Sequence, residues 1–230
     1  GQISTATLGS VGNAGNLTIR ADEIDLSGAA TFPDSPSFPG GGSVSGGLSS
    51  AVIMGVSTET MGGTVLIETR RLSLQDSASI TASSAGGLGT AGSLIIRAIE
   101  SIQIDGQTGP RNNRGAILSS GLFAELQTAA QGVGGNLSVE TNRLRLLNGS
   151  VISTATFAEG DAGNLTIQAN YLEVSGIDAD GSSGLIDTSV GSNAVGDGGN
   201  LQLDVGRLRL EDGGRVISDT AGQGSAGTIT

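Results

Sequence analysis

The sequence predicts an all-β fold: a parallel β-helix, or β-solenoid, with three strands per coil and about seven coils. Three observations carry that expectation. A phrase of glycine, any residue and then an aliphatic residue recurs with its glycine at 15, 63, 92, 135, 163, 199 and 227. The intervals hold short runs in which apolar and polar residues alternate; between Gly135 and Gly163 these are Leu137 with Val139, Leu144 with Leu146, and a run opening at Val151-Ile152. A period of two means one face buried and one wet, and no such run can bury its face alone. Finally, 40 glycines and 2 % aromatic residues argue against a core packed with large rings, and no apolar stripe of period 3.6 is sustained.

The strands follow in order along each coil. The first stacks Leu17, Val65, Leu94, Leu137, Leu165, Leu201 and Ile229, then Ile19, Ile67, Ile96, Val139, Ile167 and Leu203. The second stacks Ile24, Leu72, Ile102, Leu144, Leu172 and Leu208, then Leu26, Leu74, Ile104, Leu146, Val174 and Leu210. Aliphatic side chains of similar size fill a narrow interior with few voids. The third coil carries one residue too many at Glu100-Ser101, which reads as a bulge. The third strand is marked by Ile3, Ile80, Ile152 and Ile217.

Charges show that two coils form the unit. One column reads Arg20, Glu68, Arg97, Glu140, Gln168, Asp204; a second reads Glu23, Arg71, Glu100, Arg143, Tyr171, Arg207; a third reads Asp25, Ser73, Gln103, Arg145, Glu173, Arg209. Strands in a sheet lie about 4.8 Å apart. Like charges in every coil would therefore repel, whereas alternating signs convert repulsion into Arg–carboxylate ladders that penalise a slip by one coil.

The coil lengths alternate too, being 48, 29, 43, 28, 36 and 28 residues. Between strands two and three the long coils carry the insertions Gly28–Gly47, Gly106–Gly115 and Gly176–Gly184, and all four prolines lie in the first two. Insertions gathered at one place project from one edge of a rod, where they serve either as a binding surface or as tolerated surface loops. The candidate interaction residues are Pro33, Asp34 and Phe38 in the first, Arg111, Asn112 and Arg114 in the second, and Asp178 and Asp180 in the third.

Composition removes most chemistry. The chain has no cysteine, histidine or lysine, its 11 basic residues all being arginine, so thiol and imidazole nucleophiles, His/Cys metal sites and Schiff-base lysines are absent. A net charge of −11 disfavours nucleic acid, and no apolar run is long enough to span a membrane as a helix. Asp178, Asp180 and Asp187 lie close in sequence, but the spacing and distal Glu of a calcium loop are missing, so they read as turn residues. Carboxylates that face arginines read as ionised structural partners, not as general acids. No catalytic residue, cofactor or metal is expected, and the alternative is a polysaccharide-binding or polysaccharide-cleaving β-helix. The Ser/Thr runs at 4–7 and 153–156 read as strand-forming residues on a wet face, against an ice-binding array. Asn16, Asn136, Asn164 and Asn200 read as a turn ladder in which asparagine tolerates left-handed backbone. The ends match the interiors of repeats, which predicts one array over residues 1–230, a fragment of a longer chain able to associate end to end.

The repeat Ala-Gly-Asn-Leu-Thr-Ile at 162–167, the Val-Ile-Ser-Thr-Ala-Thr phrase at 151–156, Asn13-Ala14-Gly15-Asn16-Leu17 and Ser120-Gly121-Leu122-Phe123 resemble the filamentous haemagglutinin-type exoproteins of cyanobacteria. The resemblance covers essentially the whole chain and rests on repeat phrasing. It implies a right-handed helix, two-partner secretion through a β-barrel partner in the outer membrane, and an extracellular or cell-surface adhesin or fibre of a Gram-negative bacterium, engaging glycans or other cell-surface ligands.

Overall fold

A computed structural model describes residues 1–8, 12–32, 42–53, 60–106, 119–128 and 130–230. All regular structure among them is β, without helix, so no helix is long and apolar enough to cross a membrane. Six long strands run in parallel, side by side in chain order: Leu17–Ser27, Val65–Gln75, Leu94–Asp105, Leu137–Leu147, Leu165–Ser175 and Leu201–Leu210. Each pairs with the equivalent strand one repeat later; Leu17, Val65, Leu94, Leu137, Leu165 and Leu201 form one column, which a bridge extends to Ile229.

The first and second strands of each repeat are thus one continuous element with a corner. Pairing passes from Ala21–Thr69 to Glu23–Arg71 and skips Asp22 and Arg70; the same gap falls at Asn142 and Asn170. Alternation persists on both arms because each must turn the same face inward. The Thr69 hydroxyl spans the corner, 3.0 Å from the carbonyls of both Asp22 and Arg71. In the third repeat the register shifts between Ala98 and Ser101, the extra residue expected there.

A second parallel sheet stacks the short strands, with Ile3, Leu48, Ile80, Leu122, Ile152, Ile186 and Val216 in one column. Ile217 does not belong to it: it lies opposite Asp187, and Val216 takes the inward place. The Val-Ile-Ser phrase is displaced by one residue in this repeat, and the ladder follows hydrogen bonding, not the phrase. Two further parallel columns were not expected. One passes through Thr7, Val52, Ser84, Leu126, Thr156, Val190 and Thr220, the other through Gln131, Glu159, Val195 and Gln223.

The enclosed core is aliphatic from Ile24 through Leu201, while the expected inward pair Leu208 and Leu210 is 44 % and 43 % exposed on the last long strand. The Ser/Thr run at 153–156 does not form a wet face, whereas in the run at 4–7 Ser4 is exposed and Thr5 and Thr7 half-buried. Ser153, Thr154 and Thr156 are buried, and the Thr154 hydroxyl donates to the Gly163 carbonyl at 2.6 Å. No outward threonine array exists there, because that run has turned inward over the corner.

Glycine is required where that corner meets the next long strand. A Cβ on Gly63, Gly92, Gly135, Gly163, Gly199 or Gly227 would sit 1.8 to 2.1 Å from the carbonyl oxygen of the same glycine one repeat earlier. Beside this glycine stack runs the asparagine ladder. The side-chain oxygens of Asn16, Asn136, Asn164 and Asn200 accept from the backbone N–H of Thr64, Asn164, Asn200 and Thr228 at 2.8 to 3.1 Å. None of these asparagines has positive φ. The expected left-handed geometry lies instead in the tight turns of the short repeats, at Asp76-Ser77, Asn148-Gly149 and Asp212-Gly213.

Candidate functional site

Two features stand apart from the repeating sheets: the insertion corner and the charged outer face of the long strands. The described parts of the first and third insertions lie between a long and a short strand, and the second, beyond Gly106, lies outside the described residues. The first begins as an antiparallel hairpin, Ala29–Phe32 with Gly42–Ser45, paired from Ala29–Ser45 to Phe32–Gly42. Pro33, Asp34, Phe38, Arg111, Asn112 and Arg114 lie outside the described residues. Asp178 and Asp180 are on the third insertion, closed by an antiparallel bridge between Ile177 and Ser183. One Asp178 carboxylate oxygen accepts from the N–H groups of Asp180 and Ser182, both at 2.8 Å, so this side chain holds its own turn together. Asp187 is not brought into that turn; it is buried in the short-strand sheet opposite Ser153. A smaller irregularity marks the same alternate repeats at another corner. Leu126 and Gln131, like Val190 and Val195, are five residues apart, whereas Thr156 and Glu159 are three apart.

On the outer face the charges interlock. Glu68 accepts from Arg20 and faces Arg97 at 3.5 Å, and Arg97 reaches Glu140 at 3.6 Å. Arg71 bridges Glu23 at 2.8 Å and Glu100 at 2.7 Å. The hydrogen bond from Arg20 holds the Glu68 carboxyl below its usual range, and Arg71 does the same for Glu100. Partial burial pushes Glu173 up, but Arg145 at 3.0 Å and the hydroxyls of Ser175 and Tyr171 outweigh it and hold it low. Two details differ from the expected columns. Arg209 pairs at 2.6 Å with Glu211, just past the end of its own strand. Arg70, a corner residue, joins Glu100 at 3.1 Å.

That second contact exposes the effect of the bulge. The extra residue leaves Ser101, not Glu100, opposite both Arg71 and Arg143. Glu100 is drawn toward Arg70 and Arg71, and Ile99 stands out from the corner with 75 % of its surface exposed. Shallow grooves of about 520 and 560 Å³ flank Ile99; Arg20, Glu68 and Arg70 line one, Glu140, Asn142 and Asn170 the other, and Arg97 both. Arg143 is left with the Tyr171 ring, its guanidinium carbon 5.5 Å from the centroid.

A carboxyl pair escaped the sequence reading. Desolvation raises Glu125 to about 7, against hydrogen bonds from Ser153 and Gln127 and with help from the charge of Asp187. Asp187 is itself raised by burial, its hydrogen bonds with Ser189 opposing the shift. These two acids stand outside the arginine ladders: Glu125 accepts from Gln127 at 3.4 Å, and no Arg lies within ion-pair distance of either acid among the described residues. The signal was available as two acids beside the short strands, away from the arginine columns of the long strands; the one arginine that acts on Asp187 is Arg215 of the adjacent repeat, which lowers it against the effect of burial. No group of three or more His, Cys, Asp or Glu side chains suited to a metal ion occurs among the described residues. No family model, curated protein or solved structure matches the chain.

Proposed function

We propose that the chain is a right-handed parallel β-helix of about seven coils, its three strands per coil being the two arms of each long strand and the short strand. In this reading it is the rigid, adhesive shaft of a filamentous haemagglutinin-type exoprotein, carried to the cell surface by an outer-membrane β-barrel partner and presenting loops to glycans or other cells. Right-handedness follows from the near-universal hand of connections between parallel neighbours in one sheet. The observation that carries the function is the insertion corner: hairpin and loops emerge between the same two strands of alternate repeats, while the intervening repeats close that corner with a tight turn. A shaft whose repeats otherwise repeat each other spends its sequence variation there.

The test is capture on a glycan array by the full chain and by a variant lacking residues 29–45. Capture lost with the hairpin supports a loop-borne adhesin; capture unchanged sinks it. The second reading, a polysaccharide-cleaving solenoid, is favoured by the paired acids Glu125 and Asp187, since perturbed carboxyls mark acid–base sites. Soluble oligosaccharides released from a polymer by the wild type, and not by Glu125→Gln, would decide for it.

A further inference from the structure

We infer that Arg143, with Arg145, Ser101, Gln103 and Asn142, forms a binding site for a carboxylate-bearing polysaccharide, a uronate chain lying along the outer face of the long strands. The inference rests on the reading of the chain as a glycan-engaging protein, but places the contact on the ladder, away from the loops.

The first argument is charge. Arg20, Arg70, Arg71 and Arg97 each have a carboxylate within 4 Å. Arg143 has none among the described residues, because the bulge puts Ser101 where Glu100 would stand and the next repeat offers Tyr171. Arg143 is exposed, so this cation is unneutralised on the outer face of an acidic chain.

Preorganisation adds to it. Tyr171 is tied through its hydroxyl to Glu173 at 3.3 Å, and Glu173 is tied to Arg145. The guanidinium carbon of Arg143 lies over the Tyr171 ring, 5.5 Å from its centroid, and its N–H donors meet no carboxylate among the described residues. Such a planar fork matches the two oxygens of a carboxylate, and stacking lowers the entropy lost in forming the pair.

The third argument is the surroundings. A groove of about 330 Å³ runs beside Arg143, and the Ser101 hydroxyl and the amides of Gln103 and Asn142 line it. These are partners for sugar hydroxyls. Glu100 also borders the groove, but its charge is taken up by Arg70 and Arg71. Nucleic acid fits poorly: duplex DNA carries a charge about every 1.7 Å, and its additional phosphates would meet Glu100, Glu173 and the field of a −11 chain. A uronate polymer presents isolated carboxylates between neutral hydroxyls.

Calorimetric titration of the full chain with an oligouronate, its neutral methyl ester and a single-stranded oligonucleotide of equal length tests the site. The expected result is salt-sensitive binding of the oligouronate alone. Arg143→Gln should weaken it roughly tenfold or more, the loss of a charged hydrogen bond. Arg143→Lys should fall between, and Arg20→Gln should bind as the wild type. Equal binding of ester or oligonucleotide, an unaffected Arg143→Gln, or no binding of any probe overturns the inference. Should Arg143→Gln fail to fold, as judged by circular dichroism, the Lys variant against the Arg20 control decides. The chain lacking residues 29–45 separates the two readings. Uronate binding retained there but lost in Arg143→Gln places the contact on the ladder, whereas the reverse pattern overturns this site and leaves the loop-borne adhesin standing.

Discussion

At the scale of the residue, the fold depends most sharply on its smallest side chains. A Cβ on Gly163 would lie 1.9 Å from the Gly135 carbonyl oxygen, which is backbone on both sides and has nowhere to move. Gly163→Ala should therefore cost about 3 kcal/mol, the upper end of overpacking penalties, read as a lowered urea midpoint at unchanged slope. From the second repeat to the seventh the glycine stack leaves no room at this position for a Cβ, whereas at Gly15, with no repeat before it, one would meet only Thr5 at 3.4 Å. Glu125 makes a different prediction. Its value in the folded chain, about 7, lies above its ordinary 4.5, so the folded chain holds this proton more tightly than the unfolded one. The resulting stability is fully present below pH 4.5 and lost as the pH rises through 7, a change of no more than about 3 kcal/mol. Glu68 and Glu100 act in the opposite sense: their lowered values stabilise the fold above the ordinary carboxyl range and cease to do so as the pH falls. Melting curves of Glu125→Gln between about pH 3 and 7.5 should lose most of the decline toward neutrality, Asp187 keeping a part of it, and should retain the acid limb. A variant that declines like the wild type would show that this proton is not held by the fold.

At the scale of the element, the long strands were legible and their continuity was not. Period-two alternation identifies the inward positions of each arm, from Leu17 to Leu26, but says nothing about whether the chain between them stays extended. That depends on the corner, where Thr69 bonds two backbone carbonyls across the bend, and a threonine in a strand carries no mark of such a role. The short columns through Leu126 and Gln131 were hidden for a related reason: a bridge of one or two residues has no period to detect. Val-Ile-Ser at 216–218 misled because both Val and Ile suit an inward place, and only the ladder chooses between them. In the candidate site the insertion positions were readable from repeat length, whereas the unpaired Arg143 was not, since an extra residue in the sequence does not tell whether the ladder sets Glu100 or Ser101 opposite it. Deleting Ser101 tests that effect. The third long strand would regain the length of its neighbours and bring Glu100 opposite Arg71 and Arg143. Stability should gain up to about 1 kcal/mol from the restored pair, with uronate binding lost as Arg143 acquires a carboxylate. A shortened strand that melts and binds as the wild type does would mean that the bulge does not set the pairing of Arg143.

For the whole molecule, the question is what fixes the order of repeats that look so alike. Aliphatic columns cannot do so, because Leu, Ile and Val interchange along them with little cost. The charged columns can, since their period is two repeats while that of the core is one. Removing residues 63–91 would bring Arg20 against Arg97, like against like, and Glu23 against Ser101, with neither Glu23 nor Glu100 keeping Arg71. Removing residues 63–134 would bring Arg20 against Glu140, with Glu23 and Asp25 against Arg143 and Arg145, opposite against opposite. The shorter deletion discards less of the core yet creates the repulsive junction. Each such pair is worth only about 0.2 to 1 kcal/mol, so total stability is a poor readout when the two variants differ in length. Salt dependence is a better one, because screening acts on the junction and hardly on the aliphatic interior. The single-repeat deletion should become more stable as salt rises from 50 to about 500 mM, whereas the two-repeat deletion should lose stability over the same range. Salt dependences of the same sign and size would mean that the alternating charges coat the shaft without ordering it. Opposite signs would assign its register to the outer face and leave to the core only the task of holding the coils together.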